Sequence, residues 1–165
     1  MGRNDSTVSL IGRAALLGAV AGMRSMTPFA LLALRRGDAP RGAGWRDWPV
    51  LRNPWGRAAL VAAGAGEMFI GDKHPEAPSR LLPGPLGGRI AFGALAGFAL
   101  ASGGSRGQLW LGGSAGALGG LAGSYGGYHA RRSLVVQTGL PDQVVALGED
   151  ALAVGLGLAA IRSGE

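Results

Sequence analysis

What constrains this chain most is where its charges stand: Arg24, then Glu67 with Asp72 and Lys73, then Glu149 with Asp150, all threaded into apolar, glycine-rich stretches. A soluble amphipathic helix would turn such groups to a wet face, but these stretches are apolar all round. In a bilayer each buried charge is costly, so it pairs with another or lines a watery cavity, and it marks a candidate functional site. The chain therefore reads as all-α: a polytopic helical membrane protein, one integral membrane domain over 1–165.

A chain of 165 residues has room for about five spans joined by short links. Glycine fills 32 positions without a collagen-like period, and it sits among Ala and Leu, so it reads as the small-residue lining that lets membrane helices approach closely. The net charge of +6 is not a nucleic-acid signature, because Arg35, Arg36, Arg41, Arg46, Arg52 and Arg57 fall in one segment between apolar runs. Arginine there obeys the positive-inside rule and attracts anionic lipid heads. Cysteine is absent, which excludes disulfides and thiol catalysis, and two histidines make no zinc signature.

The first span is expected at about 8–34, roughly 40 Å as one helix against a ~30 Å hydrocarbon core, so it must tilt, protrude or break. Arg24-Ser25-Met26-Thr27-Pro28 marks the break, and broken membrane helices commonly build midplane sites. Ala19-Val20-Ala21 imitates a signal-peptidase site, yet apolar character resumes after Arg24, favouring an uncleaved span. Residues 35–57 carry Trp45, Trp48 and Trp55 among arginines and prolines, an interfacial loop. The remaining spans are expected at about 58–71, 90–102, 109–129 and 144–161. Residues 71–80 form a polar, proline-broken decapeptide, and an irregular stretch runs on through Pro83-Gly84-Pro85.

On the fourth span Gly112, Gly116 and Gly120, and again Gly119, Gly123 and Gly127, form two small-residue ladders suited to helix contacts, including those of a homo-oligomer. Ala14-x-x-Leu17-Gly18-x-x-Ala21-Gly22 resembles Ala115-x-x-Leu118-Gly119-x-x-Ala122-Gly123, and Gly66-Glu67 resembles Gly148-Glu149. Together these suggest a possible inverted repeat. With the arginine loop cytoplasmic, the N-terminus and the decapeptide lie outside and the C-terminus inside. The expected location is the cell inner (plasma) membrane, multi-pass.

Gly22-x-Arg24-Ser25-x-Thr27-Pro28, Glu67-x-x-x-x-Asp72-Lys73-x-Pro75, Pro78-Ser79-Arg80 and Glu149-Asp150 together resemble the uncharacterised, mainly bacterial membrane family catalogued as domain of unknown function 4126. The resemblance covers most of the chain. It implies a compact polytopic membrane protein and supplies no reaction.

The candidate substrate- or ion-binding residues are Arg24, Thr27, Glu67, Asp72, Lys73, Arg80, Tyr125, Glu149 and Asp150. Hard cations want several carboxylate oxygens at once, which Glu67, Asp72, Glu149 and Asp150 supply if the second and last spans meet. The competing account has Arg24 and Lys73 neutralise those acids in a structural network. No Walker loop, G-x-S-x-G or H-E-x-x-H is present, so neither an enzyme nor a cofactor is expected. The sequence thus points to a small transporter or channel-like protein with an intramembrane polar site. The alternative is a membrane scaffold or anionic-lipid-binding subunit.

Overall fold

A computed structural model describes residues 2–38, 42–69 and 81–162, with side chains from residue 7 onward. The described residues form seven α-helices and no strand. Two of the helices, spanning Pro83–Ala101 and Asp142–Ile161, are long and apolar enough to cross a membrane; the apolar part of the first, Thr7–Met23, is shorter.

The first apolar run divides where the sequence marks it, into α1 (Gly2–Met23) and α2 (Thr27–Leu34). A continuous helix would drive the Pro28 ring into the carbonyl of Arg24, four residues back, whereas a new helix accommodates Pro28 in its first turn. The last helix, α7 (Asp142–Arg162), records the direction of both pieces. Arg13 of α1 reaches the carbonyls of Ala160 and Ile161, Arg24 meets Asp150, and Leu31 of α2 is back beside Gly157 together with Val20. The chain therefore climbs along α7 in α1 and descends again in α2. The expected single broken span over 8–34 is a helical hairpin, whose second arm is about 12 Å long at 1.5 Å per residue.

This reversal also corrects the sidedness. The N-terminal part of α1 and the arginine-rich loop share one end of the bundle, because Leu10, Arg13, Gly42, Ala43 and Trp45 line a common cavity. The loop holds two short 3-10 turns and α3 (Pro49–Arg52). It does more than rest on a surface, since Trp45 and Leu51 are buried in the main core cluster.

From that end α4 (Pro54–Phe69) rises antiparallel to α2, with Gly64 against Ala30 and Glu67 at Ser25 and Met26. Helix α5 (Pro83–Ala101) starts seven residues before the expected 90, because Pro83 and Pro85 lie in a first turn whose amides need no partner. Helix α6 (Arg106–Thr138) opens on a reciprocal Ser105/Gln108 capping box and overruns the expected end at 129. It stops at Gly139, whose φ of 65° is the left-handed C-terminal conformation. Gly139→Ala should cost about 1 kcal/mol, read as a lower melting temperature, because a Cβ disfavours that region.

The centre of the bundle is α1, α5 and α6, and their contact is backbone against backbone. Antiparallel α5 meets α6 with Gly97 on Gly112, Gly93 on Gly116 and Arg89–Ile90 on Gly120. Between α1 and α6, Ala15 opposes Gly119, Gly18 opposes Gly116, Ala19 opposes Gly123 and Gly22 opposes Gly120. Both sets of numbers climb together, so these helices are parallel. With Ala14 equated to Ala115, each contact reappears with its partners exchanged, as about a local two-fold axis along the helices. An inverted repeat needs the two copies antiparallel, so that reading is corrected. Nor does the relation extend to Glu67 and Glu149, because α4 runs against α2 and α7 runs with it.

The ladders expected at an oligomer contact are thus used inside the chain. Trp110, Leu118, Leu147 and Leu152 are exposed, while the α1–α5–α6 contact is made by Gly and Ala.

Candidate functional site

The site grows from the break between α1 and α2. A helix end leaves amides or carbonyls without intrahelical partners, and this break creates one end of each kind close together. Met26, at the N-cap position of α2, offers no side-chain cap. Glu67 of α4 supplies it: its two carboxylate oxygens accept the N–H groups of Ser25 at 2.7 Å and Met26 at 2.8 Å. The negative charge faces the positive end of the α2 dipole. At the other end, Arg89 of α5 donates from one guanidinium nitrogen to the carbonyls of Gly22 (2.6 Å) and Met23 (2.9 Å), a cation at the C-terminus of α1. The Ser124 hydroxyl lies 3.2 Å from the Gly22 carbonyl and 2.8 Å from that of Gly120.

Arg24 stands at the apex of the hairpin and is only 2% exposed. Its Nε donates to Asp150 Oδ1 at 2.5 Å, and Nη1 reaches the Glu67 carbonyl at 3.3 Å. One side chain therefore ties three elements together, the hairpin apex, α4 and α7. Thr27, 1% exposed in the first turn of α2, has a hydroxyl without a hydrogen-bond partner among the described residues.

A second ion-pair group adjoins the first. Arg131 of α6 grips Asp142 through Nε at 2.9 Å and through Nη2, and its Nη1 lies 3.5 Å from Glu149 Oε2. Glu149 is 6% exposed and packs against Gly127, where no side chain intervenes. Between the two groups lies a cavity of about 640 Å³, lined by Arg24, Arg131, Asp142 and Asp150 and by Met68, Phe69 and Leu147. Its charged lining residues are paired, Arg24 with Asp150 and Arg131 with Asp142.

Of the expected site residues, Arg24, Thr27, Glu67 and Asp150 come together at the hairpin. Glu149, one position from Asp150, turns to Arg131 instead. Tyr125 is corrected: it is 43% exposed on the outer side of α6, because the inner side at that height belongs to Gly123 and Ser124. Asp72, Lys73 and Arg80 lie outside the described residues. Arg89, Ser124, Arg131, Asp142 and the amides of Ser25 and Met26 were missed. The sequence signal for Arg131 was a basic residue ending an apolar run, which reads equally as an interfacial anchor.

Among the described residues no three acidic or histidine side chains gather as a metal-ligand set. Glu67, Asp142, Glu149 and Asp150 face backbone amides or guanidinium groups instead, the arrangement that offsets the cost of burying charge. No family model, curated protein or solved structure matches the chain.

Proposed function

We propose that the chain is a small multi-pass protein of the plasma membrane that moves a small charged solute through the cavity between Arg24–Asp150 and Arg131–Asp142. The observation that carries this reading is the helical hairpin with a buried arginine at its apex. Non-helical backbone at membrane depth is tolerated where it is buried in protein or lines a cavity, and here it does both. In this reading α4, α5, α6 and α7 cross, and the α1–α2 hairpin is re-entrant as a unit from the arginine-rich end. The arginine-rich end is cytoplasmic, so the cavity opens toward the opposite face. The resemblance to domain of unknown function 4126 agrees with this architecture.

The chemistry favours exchange over vacant coordination. A solute carboxylate or other anion takes the place of Asp150 on Arg24, or a cationic group takes the place of the guanidinium on Asp150. In either case the displaced partner stays within a few ångströms, so the cost of an unpaired charge is brief. A bare divalent ion fits less well, because the carboxylates needed to surround it are held by arginine and amide groups.

The test is flux into proteoliposomes, with alkali and divalent cations, halides and short carboxylates as probes. Asp150→Asn should lower uptake of the transported class at least tenfold, about 1.4 kcal/mol, while the protein stays monodisperse in detergent. Unchanged uptake in folded Asp150→Asn and Glu67→Gln proteins would remove the transport reading. A homo-oligomer, if formed, has to use outer faces and not the glycine ladders, which are occupied within the chain.

A further inference from the structure

Helices α1, α6 and α7 enclose a second cavity of about 640 Å³. Its wall is apolar, with Ala19 and Met23 from α1, Ala130 and Leu134 from α6, and Val144 and Leu152 from α7. Leu134, Val144 and Leu152 are half-exposed, so the cavity opens as a groove on the outer surface. Two glycines of the wall, Gly126 and Gly148, border free space, since a Cβ on either would meet nothing within 4 Å. Neither belongs to the glycine contacts that α1 and α5 fill.

Two charged side chains, Arg131 and Glu149, are set into this apolar wall. Glu149 is more than nine-tenths buried, and its carboxylate lies over Gly127. A carboxylate so placed is costly against hydrocarbon unless a cation answers it. Arg131 answers at 3.5 Å through Nη1, while its Nε and Nη2 are given to Asp142. A lipid acyl chain in the groove would match the apolar wall and do nothing for the carboxylate. An apolar anion would have to take Arg131 from Asp142, which holds two of its nitrogens. A cation at Glu149 competes only with the loosest contact that Arg131 makes to these two acids, and Arg131 keeps Asp142 when it is displaced.

We propose that this groove binds an apolar cation, an organic ammonium or phosphonium whose charge meets Glu149 and whose hydrocarbon body fills the space between α6 and α7. The volume falls within the roughly 300–1,000 Å³ of sites that enclose ligands of drug size, and such sites are mainly apolar with a few placed polar groups. The groove shares only Arg131 with the cavity of the proposed solute path. It is a separate site, and binding to it does not depend on transport.

The experiment measures equilibrium binding of radiolabelled tetraphenylphosphonium to the intact protein in detergent, with protein-free micelles subtracted. Tetraphenylborate has nearly the same shape and the opposite charge, and tetramethylammonium has the charge without the apolar body. Tetraphenylphosphonium should bind saturably, and the other two at least tenfold more weakly. Glu149→Gln should lower its affinity at least tenfold. Gly148→Leu, which fills the groove from a position where a Cβ meets open space, should do the same without disturbing the fold. If Glu149→Gln is not monodisperse, Gly148→Leu decides. No saturable binding up to about 1 mM, about −4 kcal/mol, would overturn the proposal. Equal binding of tetraphenylborate would also overturn it, because the groove would then take any apolar body, an acyl chain included. So would wild-type affinity in a folded form of either variant.

Discussion

Gly116→Leu should abolish the folded state. At this position α1, α5 and α6 meet: a Cβ on Gly18 would strike the carbonyl of Gly116, and a Cβ on Gly116 would strike the carbonyl of Gly93 and lie 3.1 Å from the α-carbon of Gly97. Overpacking a core usually costs about 1–3 kcal/mol, because neighbouring side chains can shift. Here the neighbours of the added Cβ are the backbone of α5, so relief requires separating that helix from α6, and the cost exceeds that range. The expected result is loss of the monodisperse peak in mild detergent. Gly126→Leu and Gly148→Leu are the controls: a Cβ at either position meets nothing within 4 Å, so their melting temperatures should stay near wild type. If Gly116→Leu melts like the controls, the three-helix centre is wrong.

This contrast shows what glycine spacing conveys. Gly112, Gly116 and Gly120 recur at helical spacing, and from that recurrence a closely approached face is legible. The identity of the approaching surface is not, because Gly93 and Gly97 of the same chain and the glycines of another copy would leave the same pattern. Tyr125 was lost for a related reason. From Leu109 to Ser124 helix α6 is apolar or small on every face, so nothing in that stretch distinguishes its inner side at Ser124 from its outer side one residue later.

The hairpin was half legible. Arginine, two hydroxyl residues and proline in an apolar run predict interruption, since Pro28 cannot continue the helix past the Arg24 carbonyl. Hydropathy contains no sign for direction, however, and Thr27–Leu34 scores alike whether it continues α1 or returns beside it. The same blindness turned two parallel helices into a suspected inverted repeat. Glu67 and Asp150 could be singled out because an acid in an apolar helix demands a partner. Arg89 and Arg131 could not, because arginine near the end of a span has an ordinary interfacial use.

The pair Arg24–Asp150 should separate structure from function. Either single neutralisation, Arg24→Gln or Asp150→Asn, leaves one charge buried beside a neutral amide, and breaking a buried pair costs about 3–5 kcal/mol. Arg24→Gln is expected to be the worse, because the guanidinium also reaches the Glu67 carbonyl that belongs to α4. The double variant removes both charges, so most of the stability should return, measured by thermal unfolding in the same detergent. If the pair only clamps the hairpin to α7, the double variant regains whatever flux the wild type has. If the pair is the exchange site, stability returns and flux does not, because no charge remains for a solute to displace. Singles that melt like wild type would mean that water reaches both groups and that the apex of the hairpin is not buried.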